Sequence, residues 1–388
     1  MKWSLVLQFL ALGANATPLT GGALSCQDIE IPVSVSAQNK NLPLTLGLDT
    51  LKDTGALNRL VAGLTSSLVH GTYTIHARYC EPTEQVASRR DTLQVLVHGI
   101  TYTLDYWSGD LPPGTSAGQD EYSWIKYAAN QGYPTLSIDR LCNGASSRPN
   151  GLVFCQLPLQ AEVIHAIVEA ARNGTLPEAK QSFDRIICVG HSYGSLVANG
   201  HSTQYPDDVD AYIFTGYSDV LTQGEAGVAV LSLFLPAAVV SPTEFGGLLL
   251  DPTYLLSSSK NGTKSVEFYG DYDAEFVQYD LDHRGTVTLG EVATGTLGQI
   301  PAPHFKGAVF VLNGNEDGIF CEDGPVQALA TVPGNCSKGY SSGVASHYPA
   351  ASKFGYYNTA NTGHCLNIHL TAQESFKHAH NFLSEAGF

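Results

Sequence analysis

Apolar positions along the chain follow two different spacings. Six stretches rich in β-branched and aromatic residues predict strands, at residues 68–80, 92–99, 133–140, 183–190, 209–216 and 306–314. Between them, apolar residues recur every three or four positions, which predicts a helix over residues 159–172 and a final surface helix over residues 371–387. Strands that are apolar throughout and alternate with helices favour an α/β fold with a mainly parallel central sheet flanked by helices.

This alternation stops between residues 217 and 304. The segment contains apolar stretches interrupted by Gly and Pro, and it has too many apolar residues to remain a solvated loop. We expect residues 217–304 to form an inserted cap over a functional site. The core would then comprise residues 66–216 and 305–388, preceded by an N-terminal extension of residues 17–65.

The first sixteen residues, MKWSLVLQFLALGANA, have the pattern of an export signal. One Lys precedes a short apolar run and small residues, and we predict cleavage after Ala16. A buried first helix or a membrane anchor is the alternative, but the run is too short to span a bilayer. The most apolar later stretch, VAVLSLFLPAAVV, is broken by Pro236, so no integral membrane span is expected. The mature protein is predicted to be secreted.

The charge of the chain excludes one class of partner. Its 388 residues include 36 acidic and 20 basic ones, which gives a net charge of −16. Such a surface repels polyanions, so a nucleic-acid partner is not expected.

Eight cysteines suit an oxidising compartment, and none forms a C-x-x-C pair that would indicate a metal or redox site. Cys188 lies within an apolar strand and is predicted to be a free thiol, while Cys365 is left unassigned. Spacing favours three disulfides, which would join Cys26 to Cys80, Cys142 to Cys155, and Cys321 to Cys336. Asn173, Asn261 and Asn335 begin N-x-S/T sequons and are candidate glycosylation sites on surface loops.

Residues 190–194 read GHSYG and lie between an apolar strand and a predicted helix. A G-x-S-x-G sequence in this context is typical of a sharp turn that lifts a serine hydroxyl above the sheet. Gly190 and Gly194 would leave room for close backbone packing. We therefore predict that Ser192 is a nucleophile rather than a turn serine between two glycines.

A serine nucleophile needs a base, and the base needs an acid that orients it. In a sheet of this kind the three follow the order Ser, acid, His. Asp317, in VFVLNGNEDGIF, is the predicted acid; Glu316 is its nearest alternative and Asp323 a more distant one. His364, in NTGHCLNIH, is the predicted base, because the competitor His369 starts the last helix, where packing or capping is more typical.

An acyl-transfer site also needs two N–H donors for the oxyanion. The backbone of Tyr193, after the nucleophile, would supply one, and Ile100, in the loop HGITYTLDYW, the other, with Thr101 as the next candidate. His98 is predicted to hold that loop rather than take part in the reaction. Thr101, Tyr102 and Trp107 are candidates for the pocket wall, although such aromatic residues are as typical of a core.

One acidic segment is similar to a calcium-binding loop. DLDHRGTVTLGE, residues 280–291, has Asp280, Asp282, Gly285 and Glu291 at positions that match an EF-hand. Arg284 stands where a ligand belongs, and two flanking amphipathic helices are missing from the pattern. No metal or other cofactor is therefore expected.

Taken together, HGITYTLDYW, SIDRLCNGASS, GHSYGS, NGNEDGIFC and TGHCLNIH resemble the α/β-hydrolase superfamily, specifically its secreted single-domain members in filamentous fungi. The resemblance covers nearly all of the chain after about residue 65. It implies an α/β-hydrolase fold, a triad of Ser192, Asp317 and His364, and an oxyanion hole at Tyr193 and Ile100. HGITY replaces the glycine run of HGGG-type lipases, so a preference for long triglycerides is not implied.

The predicted function is a serine hydrolase that cleaves an ester or lactone of a moderately hydrophobic small molecule through an acyl-enzyme. One alternative is a hydrolase of secondary-metabolite (polyketide) biosynthesis that acts by lactone opening, epoxide hydration or cyclisation. Covalent epoxide opening is disfavoured, because it normally uses a carboxylate nucleophile. The other alternative is a catalytically silent binding protein on the same fold.

Overall fold

The structure, a computed structural model, describes residues 24–46, 52–84, 86–109, 119–322 and 332–388. The predicted export signal and the alternative acid Asp323 lie outside these residues. The described strands are β1 (Leu24–Lys40), β2 (Ser66–Pro82), β3 (Thr92–Val97), β4 (Thr135–Ile138), β5 (Arg185–His191), β6 (Ala211–Thr215), β7 (Phe234–Pro236), β8 (Tyr254–Ser257), β9 (Val287–Thr288), β10 (Ala308–Gly314) and β11 (Lys353–Thr359).

Eight of these strands form the central sheet, in the order β1-β2-β4-β3-β5-β6-β10-β11. All pairs from β4 to β11 are parallel, whereas β1 with β2 and β2 with β4 are antiparallel. Strands β3, β6 and β10 are buried along their whole length, because helices cover both faces of the sheet. The predicted fold class, with its mainly parallel sheet, is confirmed, and each of the six predicted strands is present.

The two edge strands of the central sheet, β1 and β11, were not predicted. In β1 the side chains of Ile29, Ile31 and Val33 are buried while their neighbours are exposed, which is the alternation of a strand with one covered face. Pro32 lies within β1. A proline has no N–H to donate, and it is tolerated here because β1 is an edge strand, which pairs with a neighbour on one side only. Residues 24–40 of the predicted extension thus belong to the central sheet.

The described helices flank this sheet. They are α1 (Thr54–Gly63), α2 (Gln119–Tyr122), α3 (Trp124–Asn130), α4 (Leu157–Arg172), α5 (Tyr193–Gln204), α6 (Gln223–Leu231), α7 (Ala237–Val240), α8 (Pro242–Phe245), α9 (Lys260–Glu267), α10 (Ala274–His283), α11 (Leu289–Thr294), α12 (Tyr340–Gly343) and α13 (Ala372–Glu385).

The helices divide between two apolar cores, one on each face of the sheet. Ile164 of α4 and Leu196 of α5 belong to one core. Trp124 of α3 and Phe376 of α13 belong to the other. The final helix is therefore amphipathic, with Phe376 and Leu383 fully buried on its inner side.

The segment between residues 217 and 304 has its own small antiparallel sheet, in the order β7-β8-β9, and helices α6 to α11. The apolar and polar pattern missed these strands because they are only two to four residues long. None of the helices that the structure describes has the length and apolar character that a bilayer span requires.

The cysteine predictions agree with the structure. Disulfides join Cys26 to Cys80, Cys142 to Cys155, and Cys321 to Cys336, while Cys188 and Cys365 are free and buried.

The three sequons lie in different settings. Asn173 is exposed just after α4. Asn261 is also exposed but lies in the first turn of α9 rather than in the predicted loop. Asn335 is only partly exposed and precedes a disulfide cysteine.

Candidate active site

Ser192 occupies the turn between β5 and α5. Its backbone has φ 54° and ψ −120°, a conformation that is rare and strained for a residue with a side chain. The strain is held by neighbours on both sides: the Ser192 N–H donates to the Thr215 carbonyl at 2.8 Å, and the Ser192 carbonyl accepts the Ser195 N–H at 2.8 Å. Ser192 is 7% exposed, so the turn presents the residue at the floor of a cavity.

The two glycines of the motif are required by close backbone packing. A Cβ atom on Gly194 would lie 2.1 Å from the Val97 carbonyl oxygen, at the end of β3. A Cβ atom on Gly190 would lie 2.6 Å from the Ser195 nitrogen. The strand, the turn and the helix can therefore approach each other only if both positions lack a side chain.

His364 and Asp317 form a buried pair at the same end of the sheet. The two atoms His364 Nδ1 and Asp317 Oδ2 lie 2.7 Å apart, and both side chains are almost fully buried. Asp317 Oδ1 accepts the backbone N–H groups of Ile319 and Phe320 at 2.8 and 2.9 Å. With Nδ1 engaged by the acid, Nε2 is the nitrogen of His364 left for a proton transfer.

The alternatives to this pair have other partners. Glu316 accepts the Thr362 N–H at 3.0 Å and an Asn315 amide hydrogen at 3.0 Å. His369 Nε2 accepts the Gly363 N–H at 3.1 Å, and its Nδ1 lies 2.8 Å from the Cys365 carbonyl oxygen. Burial lowers the pKa of His369 to about 4, so the ring is neutral and holds the loop that carries His364.

The two predicted oxyanion donors border the same cavity as Ser192. Tyr193 is the first residue of the twelve-residue helix α5, where backbone N–H groups have no partner within the helix. Ile100 lies in the loop after β3. Since a helix N-terminus also favours negative charge, a developing oxyanion next to Tyr193 would be stabilised.

The loop that carries Ile100 is held by Arg140, a residue that the sequence did not single out. Its Nε donates to the His98 carbonyl at 2.9 Å, and its guanidinium donates to the Gly99 carbonyl at 3.1 Å. The His98 ring completes the arrangement, because its Nε2 accepts the backbone N–H of Arg140 at 3.1 Å and its Nδ1–H donates to the Gly99 carbonyl at 2.7 Å. Burial, followed by the charge of Arg140, lowers the pKa of His98 well below its usual value, so the ring is neutral and has the structural role predicted for it.

Arg140 also joins the core to the inserted segment. Its guanidinium forms a buried ion pair with Glu291 of α11 and donates to Gln160 of α4 at 2.7 Å. It also lies 4.7 Å from the centre of the Tyr193 ring. Glu291 in turn accepts the Thr288 N–H at 2.7 Å. One buried cation thus links the oxyanion loop, the residue after Ser192 and the segment 217–304.

Three parts of the chain form the walls of the cavity above Ser192, which we call the Ser192 cavity. The wall is mostly apolar, and its side chains come from α1, the central core and the inserted segment; they include Leu57, Ile100, Leu196, Val228, Ile319 and Phe320. His364 and Tyr102 also line it. The structure therefore brings Ser192, Tyr193, Ile100 and His364 together at one cavity.

Two candidates for the pocket wall lie elsewhere, which corrects the expectation for them. Trp107 is fully buried and packs edge-on against Trp124, with ring centroids 5.8 Å apart, so it belongs to the core. Thr101 is 2% exposed, and its carbonyl accepts the Gly285 N–H at 2.7 Å. It therefore contacts the inserted segment rather than the Ser192 cavity.

Three acidic side chains among the described residues line the cavity, and the sequence predicted none of them beside Ser192. They are Glu225, Glu267 and Glu291. Each lies in the segment 217–304, where it is brought to Ser192 only by the fold. A signal for Glu225 and Glu291 does exist, since each is the third helical residue after a Thr that begins a capping box.

The acidic residues of the segment that is similar to a calcium-binding loop have separate partners in the structure. Glu291 binds Arg140, whereas Asp280 lies in α10 close to Tyr102. Among the described residues, the group that could hold a metal is instead His165, His201 and Asp208. Both imidazoles contact the same oxygen of Asp208, at 2.6 and 3.1 Å, and none of the three lines the Ser192 cavity.

The sheet order and the strand–turn–helix at Ser192 are those of an α/β hydrolase fold. The sequence profile of the alpha/beta hydrolase family matches residues 94–373. The chain therefore belongs to this family, and membership supports a hydrolase activity. No curated protein sequence matches the chain significantly.

Several solved structures are similar to the chain. A bromoperoxidase from Bacillus anthracis has 17% identity and a TM-score of 0.49, with 81% of this chain and 96% of that one covered. A thermophilic esterase from Thermogutta terrifontis has 12% identity and a TM-score of 0.47, with 82% and 96% covered. An epoxide hydrolase from Vigna radiata has 11% identity and a TM-score of 0.48, with 81% and 95% covered.

Proposed function

We propose that the chain is a secreted serine hydrolase that cleaves an ester or lactone of a moderately hydrophobic small molecule through an acyl-enzyme. The observation that carries the proposal is the hydrogen bond from His364 to Asp317 beside a cavity whose floor is Ser192 on a strained turn. Within the family, we assign the chain to the secreted fungal members on its sequence motifs alone. Three disulfides suit an oxidising compartment.

The proposed reaction starts when the Ser192 hydroxyl oxygen attacks the carbonyl carbon and His364 Nε2 takes the hydroxyl proton. The carbonyl oxygen becomes an oxyanion, to which the N–H groups of Tyr193 and Ile100 donate. Asp317 keeps the His364 ring in the tautomer that can accept a proton at Nε2 and stabilises the imidazolium that forms. His364 then protonates the leaving oxygen as the bond from carbon to that oxygen breaks.

A water molecule completes the reaction. It gives a proton to His364 Nε2 as its oxygen attacks the acyl-enzyme, and the same proton returns to Ser192 when the acid leaves. The apolar walls of the cavity favour a hydrophobic acyl or alcohol group. Residues 217–304 would act as the cap, because side chains from this segment form part of the cavity wall.

The proposal is tested with p-nitrophenyl esters of increasing acyl length, comparing wild type with Ser192→Ala. Ser182→Ala is the matched control, since Ser182 is exposed and lies outside the site. We expect hydrolysis by wild type and by Ser182→Ala and a rate close to background for Ser192→Ala. If Ser192→Ala retains its rate, the serine mechanism is wrong. If wild type hydrolyses no ester or lactone, the biosynthetic and binding alternatives replace the proposal.

A further inference from the structure

The acidic side chains of the Ser192 cavity differ in the groups that contact them. Glu291 is paired with Arg140. Glu225 accepts the Thr222 N–H at the start of its own helix, at 3.3 Å. Within the part of the chain that the structure describes, Glu267 has neither a cation nor a helix N-terminus beside it: it ends α9, and its carboxyl group contacts the Tyr102 hydroxyl at 3.0 Å and the Cys365 thiol at 3.8 Å. A carboxylate with only these partners would be poorly stabilised in an apolar cavity.

A second carboxyl group, that of Asp280, lies near Glu267 and Tyr102. Asp280 of α10 lies close enough for its charge to act on both Glu267 and Tyr102, and the Tyr102 hydroxyl has a single proton, which it donates to Glu267. Both acids are buried, with exposures of 3% for Glu267 and 8% for Asp280. Two buried carboxylates this close to each other repel, so at least one of the pair must keep its proton.

The surroundings determine which acid keeps the proton. Asp280 is attracted by the guanidinium of Arg284, which directly follows its own helix. Of the residues whose positions are described, those that face Glu267 with a titratable group are Tyr102, Cys365 and Asp280, and none of the three is a cation. Burial, followed by the charge of Asp280, raises the pKa of Glu267 well above its usual value. Burial raises the pKa of Asp280 to about 7.

Glu267 lies close to the residues proposed to react, Ser192 and His364. Its side chain lines the Ser192 cavity, and its backbone carbonyl accepts the N–H of Cys365, the residue after His364, at 3.1 Å. A neutral carboxylic acid has one O–H donor. Because Tyr102 already donates to Oε2, the proton belongs on Oε1.

We propose that Glu267 is a neutral carboxylic acid that donates a hydrogen bond to a second oxygen of the substrate. The Ser192 cavity would thereby prefer esters or lactones that carry an ether, keto or hydroxyl oxygen in addition to the carbonyl that Ser192 attacks. This substrate subsite rests on the proposed hydrolase function, since it supposes that the reacting ester lies between Ser192 and Glu267.

The substrate preference is tested with matched esters. p-Nitrophenyl hexanoate is compared with analogues in which an ether oxygen replaces the third, fourth or fifth carbon of the acyl chain, and butyl acetate with 2-methoxyethyl acetate. We expect wild type to favour at least one ether-containing ester by about tenfold in kcat/KM, the size of one neutral hydrogen bond. Glu267→Gln should keep a preference because its amide donates, whereas Glu267→Leu should bring the ratio towards one.

The same measurements can overturn the subsite. It is wrong if wild type hydrolyses hexanoate but favours no ether position, or if Glu267→Leu keeps the wild-type ratio. A wild type that hydrolyses no ester, even hexanoate, contradicts the proposed function instead, and the protonation state is then decided by spectroscopy. Thermal unfolding of each variant verifies that it is folded.

Infrared spectroscopy tests the protonation of Glu267 without any substrate. At pH 7, the difference spectrum between wild type and Glu267→Gln should contain the carbonyl stretch of a neutral carboxyl group. Glu169→Gln, at an exposed position of α4, should remove only carboxylate bands and is the matched control. If Glu267→Gln also removes only carboxylate bands, Glu267 is ionised and the proposal is wrong.

Discussion

The Asp317 carboxylate binds two sets of partners, two backbone N–H groups through one oxygen and His364 through the other. In Asp317→Asn the amide could donate to His364 Nδ1 and favour the wrong tautomer. We expect kcat to fall by about ten-thousandfold with KM little changed. Steady-state hydrolysis at pH 7 measures this, with Glu316→Gln as the neighbouring control. A loss in Glu316→Gln as large as in Asp317→Asn would show that the acid is misassigned.

Glu225 gives a prediction about stability. Burial raises the pKa of this carboxyl from 4.5 to about 8, so the folded protein holds it neutral while the unfolded chain ionises it above pH 4.5. The Glu225 carboxyl therefore makes its full contribution to the free energy of unfolding below about pH 4.5. This contribution is lost as the pH rises towards 8, by at most about 1.4 kcal/mol per pH unit.

Removing the Glu225 carboxyl should flatten the pH dependence of the free energy of unfolding. Glu225→Gln should lose less stability than wild type between pH 5 and 8, as measured by urea unfolding at several pH values. Glu169→Gln, which is exposed, should follow wild type. Parallel curves for wild type and Glu225→Gln would mean that Glu225 is ionised in the folded protein.

At the scale of elements, the Arg140–Glu291 ion pair connects the oxyanion loop with the inserted segment. Arg140→Met leaves Glu291 buried without a cation and should lower the free energy of unfolding by about 3–5 kcal/mol. Arg140→Met combined with Glu291→Leu removes both charges and should recover most of that loss. It should not recover activity, because the His98 and Gly99 carbonyls still lack their donor.

The kcat of this double variant shows whether Arg140 positions the oxyanion loop or only stabilises the fold. A displaced Ile100 N–H should lower kcat by about a hundredfold with a smaller effect on KM. Urea unfolding and ester hydrolysis on the same preparations measure both quantities. Full recovery of kcat in the double variant would show that Arg140 only stabilises the fold.

Elements differ in how far the sequence could predict them. Buried strands such as β5 and β10 are continuous apolar runs, and Ser192 is recognisable because its motif stands between such a strand and a helix. Strand β1 was missed although Ile29, Ile31 and Val33 alternate, since Pro32 argues against a strand unless it is known to be an edge. The contacts of Glu267 and Arg140 join residues far apart in the chain, and no local pattern encodes them.

At the scale of the whole molecule, the disulfides stabilise loops of different length. Cys26–Cys80 spans 54 residues, whereas Cys142–Cys155 spans 13. If constraint of the unfolded chain dominates, replacing both cysteines by Ser should cost about 4 kcal/mol for the longer loop and about 3 kcal/mol for the shorter. Urea unfolding of the two double variants measures the difference. A greater loss for Cys142 and Cys155 would contradict this order.

The molecule as a whole builds its cavity from three parts of the chain: α1, the core that carries Ser192 and His364, and the segment 217–304. The central claim is that Ser192 is the nucleophile at the floor of this cavity. The most direct measurement is reaction with a fluorophosphonate, followed by mass spectrometry of the peptides. We predict one adduct, on Ser192, that forms in step with the loss of esterase activity and is missing from Ser192→Ala. An adduct on another residue, or full activity after Ser192 is labelled, would contradict the account.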